Sequence, residues 1–301
     1  MKDYLLAIYR TIRNNFQRFL GLVISDKAFI KINYFLCIGK KLDLNNPITY
    51  NEKLQWLKLY NRREEYIPWV DKETAKEKAA KLIGEEHIIP TIAVYDSFDE
   101  IEFDKLPDQF VLKTTHDSGG VVVVSDKSKF NKKKARLRLN VSMKRNFFYA
   151  GREWPYKTIK PRIIVEQYMV DESGFELKDY KFFCFDGEPK ALFIATDRTI
   201  PGEEVKFDFF DMDFNHLDIV NHHPNANHAI EKPENFDEMI VLAKKLSKGY
   251  PHVRVDLYHI NGQIYFGELT FFHFGGVHKF EPEEWDYKFG EWLTLPEKVI
   301  N

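Results

Sequence analysis

Apolar and polar positions alternate with period two along residues 253–270, broken only at Asn261-Gly262, and this pattern predicts two strands joined as a hairpin. A two-residue turn at Asn261-Gly262 pairs Ile260 with Gln263 and puts Asp256 and Glu268 on opposite faces, because one residue of register flips every side chain. A three-residue loop, 260–262, with Gly262 left-handed in a bulge, pairs His259 with Gln263 instead. Arg254 then lies opposite Glu268, with Asp256 on the diagonal and Thr270 on the same face. The other face would carry Val253, Val255, Leu257, Tyr265, Gly267 and Leu269. We expect the three-residue loop. Two carboxylates and an arginine on one face suit either a cross-strand surface ion pair or a divalent cation with the phosphates it bridges. This stretch alone leaves both open.

The rest of the chain reads as helices and short strands. Residues 1–26 mix Lys2, Arg10, Arg13 and Arg18 with Leu5, Ile8, Ile12, Phe16 and Phe19, the pattern of a basic amphipathic helix. Packing on the body is the expected use, with peripheral membrane contact through residues 1–26 as the alternative. Thr49 or Asn51 caps a helix near Glu52 with Leu54, Leu57 and Leu59 inside, and no chemistry is visible there. Asp71-Lys72 opens a helix over 73–83 that Gly84 ends, its dense charges read as solvated. Lys72 is a poor match for the dipole in a first turn, so it is either an ordinary helix-start lysine or a functional cation.

Residues 109–124 predict a strand, a glycine loop and a second strand. Lys113 shares a face with Val111 and Thr115 and needs a counter-charge in that setting. Ser118-Gly119-Gly120 can be a plain hairpin turn or can offer backbone N–H groups to a phosphate. It is not a Walker A loop, and the lysine comes before the glycines, unlike a kinase start. Residues 127–145 are strongly basic, read as a solvated helix face, with drawing in a phosphorylated or acidic substrate as the weaker alternative. Residues 162–169 form a buried strand that carries Glu166. A hairpin through Asp186-Gly187 follows, with Cys184 as an inert core thiol. His222, His223 and His228 match no zinc spacing.

Composition narrows the function classes. At 301 residues the chain holds one large domain or several lobes with ample core. Its 26 phenylalanines point to a heavily packed sheet or an extended groove. A formal net charge of -2 argues against bulk electrostatic binding of nucleic acid. Cys37 and Cys184 are too few for a disulfide framework, so a reducing, cytoplasmic compartment is expected, with the inner face of the membrane as an option for the basic helix. The start lacks the features of a secretory signal, and no segment is apolar for long enough to span a bilayer.

The order is Asp-Lys at a helix start, strand lysine, glycine hairpin, a strand ending in Glu, then Arg-x-Asp, a hairpin and Glu-x-Thr. That order resembles the ATP-grasp superfamily from about residue 71 to 276. The chain is more closely similar to the TupA-like ATP-grasp family, found with bacterial surface-polysaccharide genes. The words that carry this are residues 51–58 (NEKLQWLK), 106–110 (LPDQF), 178–181 (KDYK), 254–258 (RVDLY), 267–271 (GELTF) and 282–287 (PEEWDY).

The resemblance implies an α+β ATP-grasp fold, with two mixed or antiparallel sheets clasping ATP and a helical N-terminal region over residues 1–70. A linking segment over 71–108, a lid over 109–165 and a C-terminal sheet over 166–301 complete the expected domains. Lys72 and Lys113 would hold phosphates under the Ser118-Gly119-Gly120 loop. Residues 166–169 would form the hinge, with Glu166 at the adenine amino group, Met169 backbone at a ring nitrogen, Gln167 between them and Glu176 at the ribose. Asp256 and Glu268 would bind Mg2+. Thr270 stands where the superfamily commonly has Asn, which puts a second metal site in doubt. The implied reaction is attack of a carboxylate on the γ-phosphate of ATP, then of an amine on the acyl phosphate, with Arg254 and Lys113 stabilising the developing charge. The implied substrates are a uronic acid of a surface polysaccharide or its precursor, and an amine or amino acid. A phosphotransferase on the same scaffold, or a glycosyltransfer partner, are the alternatives; Asp211-Met212-Asp213 lies in an aromatic loop and is a weak sugar-nucleotide signal.

Overall fold

The computed structural model describes residues 2–171, 174, 177–198, 202 and 204–299. Its helices and strands begin with α1 (Lys2–Val23), α2 (Asp26–Ile38), α3 (Tyr50–Tyr60), α4 (Ile67–Val70) and α5 (Lys72–Ile83). They continue with β1 (Thr91–Tyr95), β2 (Phe110–Thr114), β3 (Val121–Val124), α6 (Lys132–Met143), α7 (Phe148–Gly151) and β4 (Ile163–Gln167). The remainder is β5 (Asp179–Phe185), β6 (Glu188–Thr196), β7 (Lys206–Phe210), β8 (His216–Leu217), α8 (Phe236–Ser247), β9 (His252–Ile260), β10 (Gln263–Thr270) and α9 (Glu284–Trp292).

The chain divides into two compact units. One comprises Met1–Ala28, Glu64–Glu77 and Ile89–Tyr168; the other comprises Phe29–Arg63, Lys78–Ile88 and Met169–Asn301. Residues 1–70 carry helices only and are shared between the units, as are residues 71–108. The chain passes into the second unit between Tyr168 and Met169, within the segment expected to be a hinge.

In the first unit a four-stranded antiparallel sheet has the order β1-β4-β2-β3. Alternation sends Phe110 and Leu112 of β2 into a core with Phe98, Phe103, Leu139 and Val165. Val111 and Lys113 fall on the other face. The second unit holds a six-stranded antiparallel sheet, β10-β9-β5-β6-β7-β8. Phe182 stacks on Phe236 of α8, while Phe183, one residue on, meets Phe193, Phe209 and Phe289. Both faces of β5 are thus covered, which is where many of the phenylalanines go. Cys184 is buried there, and burial pushes its thiol up to about 12.

The hairpin register differs from the expectation. Ile260 pairs with Gln263 across a two-residue turn in which Asn261 (φ 49°) and Gly262 (φ 83°) are both left-handed. That turn matches the right-handed strand twist without a longer loop. A bulge between Phe266 and Glu268 then shifts the register, so Glu268 lies directly opposite Asp256 and Thr270 opposite Arg254. The apolar face consequently takes Ile264 and Phe266, with Val255, Leu257 and Leu269, and not Tyr265. Gly267 makes the bulge possible: a Cβ there would sit 2.9 Å from the Asp256 carbonyl oxygen.

Candidate functional site

In the first unit the sites expected to meet phosphate are built around two strands and a helix start. Asp71 caps α5, its Oδ1 accepting from the Glu73 amide at 2.9 Å. Lys72 follows, and its Nζ donates to the Asp117 carbonyl at 2.6 Å, while its amide donates to the Thr115 carbonyl at 3.0 Å. The lysine thereby ties the helix start to the glycine loop. The carbonyls of Ser118 and Gly119 accept from Arg145 and Arg138 at 3.5 and 3.2 Å. Because each peptide is planar and trans, the amides of Ser118, Gly119 and Gly120 point away from the cations held by the preceding carbonyls. Gly120 is obligatory, since a Cβ would overlap the Thr114 hydroxyl at 1.9 Å. Buried Asp117 fixes the loop by accepting from the hydroxyls of Thr114 and Ser142.

The counter-charge that Lys113 requires is Glu166, 2.6 Å away in the register partner strand β4. The second oxygen of Glu166 meets Lys76 of α5 at 2.7 Å. Burial opposes ionisation of Glu166, but the charges of Lys113 and then Lys76 outweigh it and hold the carboxyl at about 2. Burial pulls the Lys76 ammonium down, against Glu166. Glu166 is therefore paired through its two oxygens with two lysines. Most charges of α5 were expected to be solvated; Lys76, not singled out among them, is buried. The signal was its place on one helical face with Ala75 and Ala79, both also buried. Gln167 is exposed at the end of β4, its amide donating to the Pro90 carbonyl at 3.0 Å. Met169 opens the second unit, and Glu176 lies outside the described residues.

In the second unit Arg254 is the hub. Its Nε and Nη2 donate to the two oxygens of Asp256, each at 2.7 Å, and Nη2 donates also to the Thr270 hydroxyl at 3.0 Å. Nη1 donates to Nδ1 of buried His273 at 2.7 Å, whose Nε2 faces the Asn221 side-chain oxygen at 2.9 Å. Burial and then the arginine's charge keep His273 well below the usual histidine pKa, so it accepts as the neutral tautomer. Burial opposes the Arg254 charge, yet Asp256 raises its pKa above the usual arginine value. Lys181 of β5 forms an ion pair with the same Asp256 and reaches Asp179 at 3.3 Å. Asp179 also pairs with Arg198. Neither Lys181 nor His273 was singled out from sequence, although Lys181 sits in the family word at 178–181. Glu268 is half exposed and touches this cluster at 3.7 Å from Arg254 and at 3.4 Å from the Thr270 hydroxyl, which donates to its Oε1.

Among the described residues no three His, Cys, Asp or Glu side chains converge as a metal cage. Asp256 and Glu268 are instead a cross-strand pair of hard oxygen donors. Mg2+ takes one or two carboxylates and completes its shell with phosphate and water. The donor set fits a magnesium held jointly with phosphates, and does not fit one held by protein alone.

The sequence profile of the TupA-like ATPgrasp family matches residues 52–294. The chain belongs to the TupA-like ATP-grasp family. Among solved structures it is similar to the D-alanine–D-alanine ligase from Bacillus anthracis complexed with ATP, at 18% identity and a TM-score of 0.38, covering 67% of this chain and 54% of that one. The D-alanine–D-alanine ligase from Helicobacter pylori matches at 14% identity and a TM-score of 0.42, covering 81% and 69%. An ADP complex of purK, N5-carboxyaminoimidazole ribonucleotide synthetase, matches at 17% and 0.40, covering 76% and 52%. The chain spans about half the length of the Bacillus ligase. No curated protein matches it.

Within this TupA-like ATP-grasp chain the word at 51–58 has a structural duty. Thr49 caps α3 in a capping box with Glu52. Gln55 donates to the carbonyls of Gly275 and Gly276 at 2.9 and 2.7 Å, and Lys58 donates to that of Gly275 at 2.6 Å. These side chains hold the loop that carries His273, the residue behind Arg254. Asn51 joins α3 to α9 through Asp286, at 2.9 Å from its amide and 3.0 Å from its side chain.

Proposed function

We propose that this chain is an ATP-dependent, ADP-forming carboxylate–amine ligase, acting on a uronic acid of a surface polysaccharide or its precursor and on an amine or amino acid. The family match supports the ATP chemistry. The observation that carries the reading is the pairing of Asp256 with Glu268, brought opposite each other only by the Gly267 bulge and backed by buried Arg254. A surface ion pair needs no such register correction.

Lys72 and Lys113 bind phosphate oxygens, and the amides of Ser118, Gly119 and Gly120 cover them. Gln167 and the Met169 backbone take the adenine, while Glu166 holds Lys113 in place. Asp256 and Glu268, with the Thr270 hydroxyl beside them, would hold a magnesium, which would supply neutralisation of phosphate charge. A carboxylate oxygen of the acceptor forms a bond to the γ-phosphorus as its bond to the β–γ bridging oxygen breaks, and ADP leaves. The amine nitrogen then bonds to the acyl carbon, the C–O bond to phosphate breaks, and the nitrogen loses a proton. Arg254 and Lys181 stabilise the oxyanions formed in these steps, because both are preorganised and carry fixed charge.

The test is ADP release across uronic acids paired with amino acids, followed by trapping with hydroxylamine. A hydroxamate together with ADP supports the ligase; a stable phosphoester in its place makes the chain a phosphotransferase. Failure to bind Mg-ATP at millimolar concentration would sink both.

A further inference from the structure

The faces of α1 are reversed relative to ordinary burial. Tyr4, Ile8, Tyr9, Ile12, Phe16 and Phe19 are all exposed, Ile12 at 63% and Phe16 at 58%. At 3.6 residues per turn these six fall within an arc of about 140°. The other arc carries half-buried Arg10, Arg13, Asn14 and Gln17 beside buried Ala7 and half-buried Leu20 and Gly21, on a helix that packs against α6 and α7 of the same unit. Arg13 Nε and Asn14 Oδ1 are buried there without a hydrogen-bond partner. Placing polar groups inside while six large apolar side chains face out is unfavourable on both counts if the outer medium is water. It is the arrangement of a helix whose outer face lies in an interface.

Charge identifies that interface. Residues 127–152 contain ten lysines and arginines and no acidic residue, in a chain of net charge -2. Five of them lie on α6, which forms with α1 a groove of about 900 Å³. Ile8 and Ile12 line one wall, Leu137 and Val141 the other, and Lys133 and Lys144 stand among its lining residues. Apolar side chains thus adjoin cations with no carboxylate from α6 among them. Among the described residues no helix is long and apolar enough to cross a membrane.

We propose that α1 and α6 together dock on an anionic phospholipid bilayer, with the exposed face of α1 in the boundary between headgroups and acyl chains and the α6 lysines on headgroup phosphates. Neutral membranes lack the second contact and bind weakly. The inference stands apart from the ligase reading, since the exposed face of α1, Lys133 and Lys144 take no part in that chemistry; Arg138 and Ser142 of α6, which hold the glycine loop, are left unaltered in the test.

The experiment is flotation of the full chain with vesicles of phosphatidylcholine alone and of phosphatidylcholine mixed with phosphatidylglycerol. Two variants are compared, Ile8→Ser/Ile12→Ser/Phe16→Ser and Lys133→Glu/Lys144→Glu, with the thermal midpoint confirming that each stays folded. The unaltered chain is expected to float with the anionic vesicles only, and each variant to lose about tenfold or more of the bound fraction. Absence of flotation with anionic vesicles, or equal flotation of folded variants, overturns the proposal. So does a dimer in solution that the serine variant dissolves while vesicles go unbound, which would assign the face to a second copy.

Discussion

In the first unit a single carboxylate, Glu166, answers Lys76 and Lys113, and Lys72 nearby donates only to a carbonyl. In the second unit Asp179, Asp256 and Glu268 stand against Lys181, Arg198 and Arg254. The first cluster is left with positive charge in excess, suited to an anion, whereas the second is balanced and takes a cation only if anions arrive with it. The means of positioning also differ. Local capping and one obligatory glycine set the glycine loop, while the acidic pair depends on strand register several residues from the turn.

Breaking the balanced cluster has the largest expected effect. Asp256→Asn leaves buried Arg254 and Lys181 without their carboxylate, and should cost about 3–5 kcal/mol of stability in a denaturant titration. ATP turnover should fall roughly 10²–10³-fold. Gly267→Val attacks register instead of charge. Its side chain meets the Asp256 backbone, so a loss of about 1–3 kcal/mol is expected. Turnover should drop nearly as far as in Asp256→Asn, although no charge has been removed; unchanged turnover would mean that the bulge does not matter to the site.

The first cluster should respond more gently and through pH. Glu166 has its folded pKa lowered from 4.5 to about 2, so the stability it contributes is present above 4.5 and lost as pH falls towards 2. Lys76→Met removes one of the two charges holding it down, and the acid limb of the stability curve should move to higher pH. Thermal midpoints between pH 2 and 5 read this directly. The smallest effect on turnover is expected outside both clusters, at Asp286, which burial raises from 3.8 to about 6. A raised carboxyl contributes stability below 3.8 and loses it as pH rises through 6. Asp286→Asn should flatten that decline, and a slope equal to the unaltered protein's would remove Asp286 as its cause.

Much of this was legible in residue order. The capped α3 and α5, the glycine loop and the need of Lys113 for a partner all follow from short-range patterns. Lys76 was missed because a lysine among charged neighbours looks solvated until the helix face is known. His273 was missed because its partner lies across the strand pair, 19 residues away. Lys181 and Gln55 stood inside recognisable words whose purpose only packing reveals.

The hairpin divides the two kinds of information most clearly. By itself, the sequence determined that two alternating strands meet at Asn261-Gly262, since left-handed φ at both residues is a local property of that pair. The face on which Glu268 lands was decided by tertiary structure. Gly267 permits either a regular strand or a bulge, and a strand's own alternation cannot tell them apart. Burial of Ile264, Phe266 and Leu269 with the apolar face of β9 selects the bulge, because only a shift between Phe266 and Leu269 puts all three inside. That same shift carries Glu268 across to Asp256.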